Sequence, residues 1–203
     1  DYLASSQIEP DVLRGVVAGI VRGCEQARCS LLGGETPELP GFYQPGEYDL
    51  AGFVVGVAEK YKLITGERVR PGDRVIGLPS SGLHSNGYSL VRRVIFEEAG
   101  LAVDDSLSTY GIDRTVGEEL LEPTRIYVRP VTRVLNHYKR KQIVHAIAHI
   151  TGGGLPDNLP RVLPPGCRIR LERSAWSVPA IFDVVRRLGN VEEEEMFHVF
   201  NMG

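Results

Sequence analysis

Cysteine is scarce: Cys24, Cys29 and Cys167 are the only three in 203 residues. They lack zinc-ligand spacing, and their small odd number excludes the disulfide framework of a secreted scaffold. They read as buried or incidental thiols in a reducing compartment. No uninterrupted apolar segment approaches the ~20 residues of a membrane-spanning helix. The N-terminus lacks the basic and apolar regions of a secretory signal. Basic residues are outnumbered, 23 Lys and Arg against 26 Asp and Glu, for a formal net charge of −3. That balance excludes a surface dominated by nucleic-acid binding. There is no Gly-x4-Gly-Lys-Ser/Thr loop, no dinucleotide fingerprint after a strand, and no internal repeat. What remains is a cytoplasmic globular protein, 42% hydrophobic and 24% charged, with room for one large domain or two small ones.

The richest stretch begins at Arg74-Val75-Ile76-Gly77-Leu78, which has strand character. It breaks into the small-residue turn Pro79-Ser80-Ser81-Gly82-Leu83-His84-Ser85-Asn86-Gly87. A helix is expected next, with Leu90, Val91, Val94 and Ile95 on one face and Arg92, Arg93, Glu97 and Glu98 on the other. A glycine-bounded turn at a helix N-terminus points backbone N–H groups at one spot, where the helix dipole also favours phosphate. A tight strand-to-helix connection explains the same residues, so both readings stand.

Other segments outline an α/β chain. Glu9-Pro10-Asp11 opens a helix with Leu13, Val16, Val17, Ile20 and Cys24 at helical spacing. Strands are expected at Ser30-Leu31-Leu32, from Leu50 to Ala58, from Ile143 to Ile150 and from Ile169 to Leu171. A helical region from Val116 to Tyr138 should split at Pro123 and Pro130. A short helix follows from Pro156 to Val162, and an amphipathic one from Pro179 to Leu188 turns Ile181, Val184, Val185 and Leu188 inward. Glu192 to Glu195 marks another helix start, where acidic groups suit the dipole. Alternation of this kind favours a layered α/β sheet. The polar segment 60–73 places a boundary near Lys62, giving domains 1–61 and 62–203.

Two further motifs carry candidate chemistry. In His145-Ala146-Ile147-Ala148-His149-Ile150-Thr151-Gly152-Gly153-Gly154, a strand puts both histidines on one side, with His149 nearest the turn. Three glycines in a row suggest unusual backbone angles or a ligand pressed against the backbone. In Gly33-Gly34-Glu35-Thr36, a carboxylate in a glycine loop suits a hard cation; Mg²⁺ beside a nucleotide takes one or two protein carboxylates and completes its shell with phosphate oxygens and water. Asp49 is a second acidic candidate. These residues by themselves point no further than a phosphate-binding α/β enzyme.

The motifs together resemble the phosphoribosylformylglycinamidine cyclo-ligase family, the aminoimidazole ribonucleotide synthetases of purine biosynthesis. The resemblance rests on Leu32-Gly33-Gly34-Glu35-Thr36, Tyr48-Asp49-Leu50-Ala51-Gly52-Phe53, the run from Ser81 to Arg92, Pro123-Thr124-Arg125-Ile126-Tyr127 and Ala148 to Gly154. Asn158 to Pro164 and Gly189-Asn190-Val191 extend it, in collinear order along the chain. The family's Thr-Ala-Glu-Met-Pro stands here as Thr36-Pro37-Glu38-Leu39-Pro40, and its Asn-Cys-Gly as Asn201-Met202-Gly203. No counterpart of the family's N-terminal Gly-rich, lysine- and aspartate-bearing region is present. The chain is therefore expected to be a piece of a longer protein: the second half of an ATP-binding, dimerising N-terminal domain and most of an α/β C-terminal domain, inactive alone.

For the parent the resemblance implies ATP-dependent closure of formylglycinamidine ribonucleotide to aminoimidazole ribonucleotide in a cytoplasmic homodimer. It assigns Glu35 to Mg²⁺–ATP, and Gly33, Gly34, Thr36, Ser81, His84, Ser85, Asn86 and Gly87 to nucleotide or substrate. Thr151, Gly152, Gly153 and Gly154 fall to the substrate phosphate, and His84 and His149 to catalysis. The alternatives are another enzyme of the same ATP-binding superfamily (formylglycinamidine synthase, thiamine-phosphate kinase, selenophosphate synthetase, a hydrogenase maturation factor) or a non-catalytic piece. The first unit is expected to expose an unpaired strand edge or an apolar face.

Overall fold

The computed structural model describes residues 1–138 and 141–203. In chain order the elements are β1 (Tyr2–Ser5), α1 (Pro10–Ala27), β2 (Tyr48–Ala51), α2 (Tyr88–Arg92), α3 (Val116–Leu120), α4 (Val128–His137), α5 (Gly154–Asn158), α6 (Ala180–Leu188) and α7 (Glu193–Val199). α2 runs directly into a π-helical segment, Arg93–Glu98. No helix is long and apolar enough to cross a membrane among the described residues. The chain divides into two compact units, Asp1–Leu63 with Ile126–Gln142, and Ile64–Arg125 with Ile143–Gly203. A single cut at 61/62 does not separate them, because Ile126–Gln142 groups with the first.

In the first unit β1 is the middle of a small mixed sheet. It pairs antiparallel with β2, Leu3 opposite Leu50 and Ala4 opposite Asp49. Its other edge takes the 35–39 segment through Leu3 N–H to Glu35 O (2.9 Å) and Leu39 N–H to Ser5 O (2.8 Å). Leu3, Ala4 and Ser5 are buried. α1 starts at Pro10, where a missing N–H costs nothing. The strand expected from Leu50 to Ala58 is paired only as far as Ala51; beyond it Phe53, Val54, Val55 and Val57 are more than nine-tenths exposed. Pro130 does not break its helix either. It occupies the first turn of α4, where its N–H has no intrahelical acceptor to lose.

The second unit holds the main core. Val91, Val94 and Ile95 pack with Ile181, Phe182, Val184 and Val185 of α6, and Met196 and Phe200 close the cluster. Phe182 meets Phe200 edge to face, with centroids 5.6 Å apart, a favoured aromatic geometry. Thr115 and Glu118 form a reciprocal capping box at the start of α3. The expected strands at Ser30–Leu32, Val75–Leu78, Ile143–Ile150 and Ile169–Leu171 join no ladder among the described residues. Each has the apolar content of a strand, but a strand needs a neighbour to take its N–H and C=O groups. Ile76 is correspondingly 84% exposed.

Candidate functional site

The turn after Leu78 is a knot of side-chain bonds rather than an open loop. Ser80 Oγ donates to Gly82 O (2.9 Å), and Ser81 Oγ reaches Pro123 O (2.7 Å). Ser85 Oγ lies 3.2 Å from Thr124 Oγ1, and Arg125 Nη1 donates to Pro79 O (2.8 Å). Asn201 Nδ2 donates to Gly82 O (2.9 Å) and Leu83 O (3.2 Å). The 123–125 segment and Asn201 thus hold the turn from two sides. Residue-by-residue reading of the sequence gave none of them a site role, because their partners are distant in sequence.

His84 stands at the centre with φ +60, unusual for a residue with a side chain. Its Nε2 accepts from the backbone N–H of Ser81 (3.0 Å) and of Arg125 (3.3 Å). A nitrogen that accepts two N–H bonds carries no proton, so the ring is neutral with its proton on Nδ1. Burial, the Arg125 guanidinium and His149 hold its pKa below the usual histidine value. Expected as a catalytic residue, His84 has one ring nitrogen committed to the backbone, which makes it a clip for the turn. His149 is exposed and near enough to act electrostatically on His84. His145 does not join them. Its Nδ1 pairs with Asp73 Oδ2 at 2.7 Å, and that bond holds the Asp73 carboxyl below its ordinary range.

The second glycine turn meets the first. An added Cβ on Gly152 would lie 3.7 Å from Asn86 Oδ1. Gly154, at φ +57, leaves no room for a side chain: a Cβ there would come within 1.7 Å of Phe197 O. Gly87, at φ +77, abuts the Phe200 ring at 2.3 Å in the same sense, and Gly153, at φ +92, crowds Asp157 at 2.7 Å. Backbone angle and close packing therefore account for Gly87, Gly153 and Gly154, whereas Gly152 is under neither constraint. The N–H groups of Gly152 and Gly153 donate to no protein acceptor among the described residues. Buried Asn158 straps this turn, its Nδ2 reaching Gly154 O (2.8 Å), Gly152 O (3.2 Å) and Thr151 O (3.3 Å). In the sequence Asn158 stands within the family resemblance, which gave it no site role.

The third motif lies in the first unit. Gly33, Gly34, Glu35 and Thr36 run beside β1, and the Glu35 backbone is pinned through its N–H to Asp1 O (3.1 Å) and its carbonyl to Leu3 N. A Cβ on Gly34 would stand 2.6 Å from Asp1 O, so glycine permits this close approach. The Glu35 side chain is exposed. Asp49, inside β2, turns its carboxylate onto the Leu50 N–H (2.9 Å). No group of three or more His, Cys, Asp or Glu forms a metal cage among the described residues. A lone exposed carboxylate fits a Mg²⁺ ion that draws its other oxygens from phosphate and water.

Comparison with known proteins agrees with these motifs. Residues 70–203 match the family described as AIR synthase related protein, C-terminal domain, and residues 1–58 match its N-terminal domain. Over all 203 residues the chain is 53% identical to the phosphoribosylformylglycinamidine cyclo-ligase of Citrifermentans bemidjiense, 54% to that of Geobacillus thermodenitrificans and 55% to that of Myxococcus xanthus. It spans 57% of the length of each of these relatives. The chain belongs to the AIR synthase related family and carries sequence of both its N-terminal and its C-terminal domains.

Proposed function

We propose that this chain serves a phosphoribosylformylglycinamidine cyclo-ligase, closing formylglycinamidine ribonucleotide to aminoimidazole ribonucleotide at the expense of ATP. The observation that carries the reading is identity of 53–55% along the whole chain to proteins of that name. The formyl oxygen is a poor leaving group, so ATP phosphorylates it. An amidine nitrogen then attacks the formyl carbon, the C–O bond breaks, and phosphate leaves with the ring closed. The N–H groups of Gly152 and Gly153, unpaired among the described residues, suit the substrate phosphate, with Asn86 at their edge. His149 is exposed and carries the proton; His84 positions the turn. Glu35 would hold Mg²⁺, which would supply neutralisation of charge on the transferring phosphoryl group. The working protein is a cytoplasmic homodimer whose N-terminal domains build the nucleotide site.

The test is turnover of the full-length protein with ATP and formylglycinamidine ribonucleotide, following ADP and aminoimidazole ribonucleotide together. At limiting Mg²⁺, Glu35→Gln should lower turnover by ~10²-fold or more, the scale for removing a charge-stabilising group. Asp49→Asn should change it little. Near-normal turnover of Glu35→Gln would remove the metal role. ADP release with thiamine phosphate, selenide or formylglycinamide ribonucleotide in place of the proposed substrate would select another member of the superfamily.

A further inference from the structure

Helix α1 ends in a left-handed residue, Arg28 (φ 55, ψ 41). Two backbone bonds close the turn: Cys29 N–H to Cys24 O at 3.0 Å and Arg28 N–H to Glu25 O at 3.2 Å. This pair defines a Schellman turn, in which the side chains at the first and last of its six positions are frequently in contact. Those two positions are Cys24 and Cys29. With Cys29 N only 3.0 Å from Cys24 O, bond lengths limit the Cα–Cα separation to about 7 Å. That ceiling lies at the edge of the ~4.4–6.8 Å window of disulfides, so closure needs little movement of the backbone. The thiols sense one another: burial first, then a hydrogen bond with the Cys29 thiol, push Cys24 above its ordinary pKa. Cys29 is exposed and Cys24 half-buried, both thiols are free, and Cys167 lies in the other unit.

We propose that Cys24 and Cys29 are a dithiol modification site that closes reversibly to an intramolecular disulfide. The oxidant is a low-molecular-weight disulfide of the glutathione class. Exposed Cys29, as thiolate, attacks one of its sulfurs, forming a mixed disulfide and releasing one small thiol. Cys24 loses its proton and attacks the Cys29 sulfur, expelling the second small thiol. One S–S bond is consumed and one is made, and the two cysteine protons end on the two released thiols. The new ring fixes the chain's exit from α1, four residues before Gly33. Cysteines that read as incidental in the sequence are paired by the turn alone.

The reduced chain is equilibrated with mixtures of reduced and oxidised glutathione, alkylated and digested with trypsin. Cleavage after Arg22 and Arg28 puts the cysteines on separate peptides, 23–28 and 29–60. Rising oxidant should convert these to one linked species, with loss of two of three alkylatable thiols, Cys167 still alkylated and full reversal by reductant. Cys24→Ser should abolish the linked species and leave Cys29 as a glutathione adduct. Arg28→Gly, which keeps the left-handed turn without strain, should retain the link; Arg28→Val, which resists positive φ, should lower it several-fold at a fixed redox ratio. In these two variants, which lack the cleavage site at 28, the closed form is read as peptide 23–60 carrying neither an alkyl group nor glutathione. Separate adducts or free thiols at all ratios, a dominant link to Cys167, or an undiminished link in Arg28→Val would each overturn the proposal.

Discussion

Asn158 is the side chain on which the second glycine turn depends, and its removal has a calculable cost. The residue is 4% exposed. Its two amide hydrogens serve three carbonyls, at 2.8, 3.2 and 3.3 Å. Its Oδ1 accepts from Arg161 Nη1 (3.2 Å) and Thr151 Oγ1 (3.3 Å). In Asn158→Ala the Gly152 carbonyl loses its one protein partner among the described residues, a penalty of ~1–3 kcal/mol, and the short bond to Gly154 forfeits about 1 kcal/mol. The expected total is about 2–4 kcal/mol. At ~2–4 °C per kcal/mol for a chain of this size, the second unit should melt ~5–15 °C lower. Asn158→Asp keeps the volume but turns a carboxylate toward three carbonyls, so it should cost at least as much at pH 7 and recover partly in acid, when the carboxyl regains a donor. Urea titrations followed by circular dichroism at pH 7 and pH 4 measure both. An Asn158→Ala protein within ~0.5 kcal/mol of wild type would refute the strap.

His84 yields a pH prediction. Its folded pKa is depressed, so below the unfolded value of about 6.5 the unfolded chain binds more protons. The stability it confers is complete above ~6.5 and is lost as pH falls through that value toward the lower folded one. His84→Asn retains an acceptor but does not titrate, and should flatten the stability slope below about pH 6.5; an unchanged slope would show that the ring is not held neutral. Gly154→Ala should destabilise the second unit by ~3 kcal/mol or more through overpacking against Phe197 and left-handed strain. Gly152→Ala, with its first contact at 3.7 Å, should cost under about 1 kcal/mol. Equal losses in thermal melts of the two alanine variants would sink the packing account.

Local order was legible in the sequence where local chemistry suffices. Helical spacing alone identified Ile181, Val184 and Val185 as the inward face of α6, and all three are buried. Pro10 marked the start of α1, and the run of glutamates marked that of α7. These signals depend on neighbours three or four residues away, which the chain itself supplies. The order of the motifs was likewise enough to identify the family. Tertiary structure alone showed what confines two of the glycines: Gly87 and Gly154 abut Phe200 and Phe197, which no count of glycines reveals. It also decided that His84 clips a turn to Arg125, that Asn158 straps another, and that the end of α1 folds the Cys29 N–H onto the Cys24 carbonyl. The same limit explains the strands. Period and apolarity mark Val75–Leu78 and Ile143–Ile150 as able to pair, but pairing is a property of two segments, and hydrogen-bond partners far apart in sequence are found only when the chain has folded.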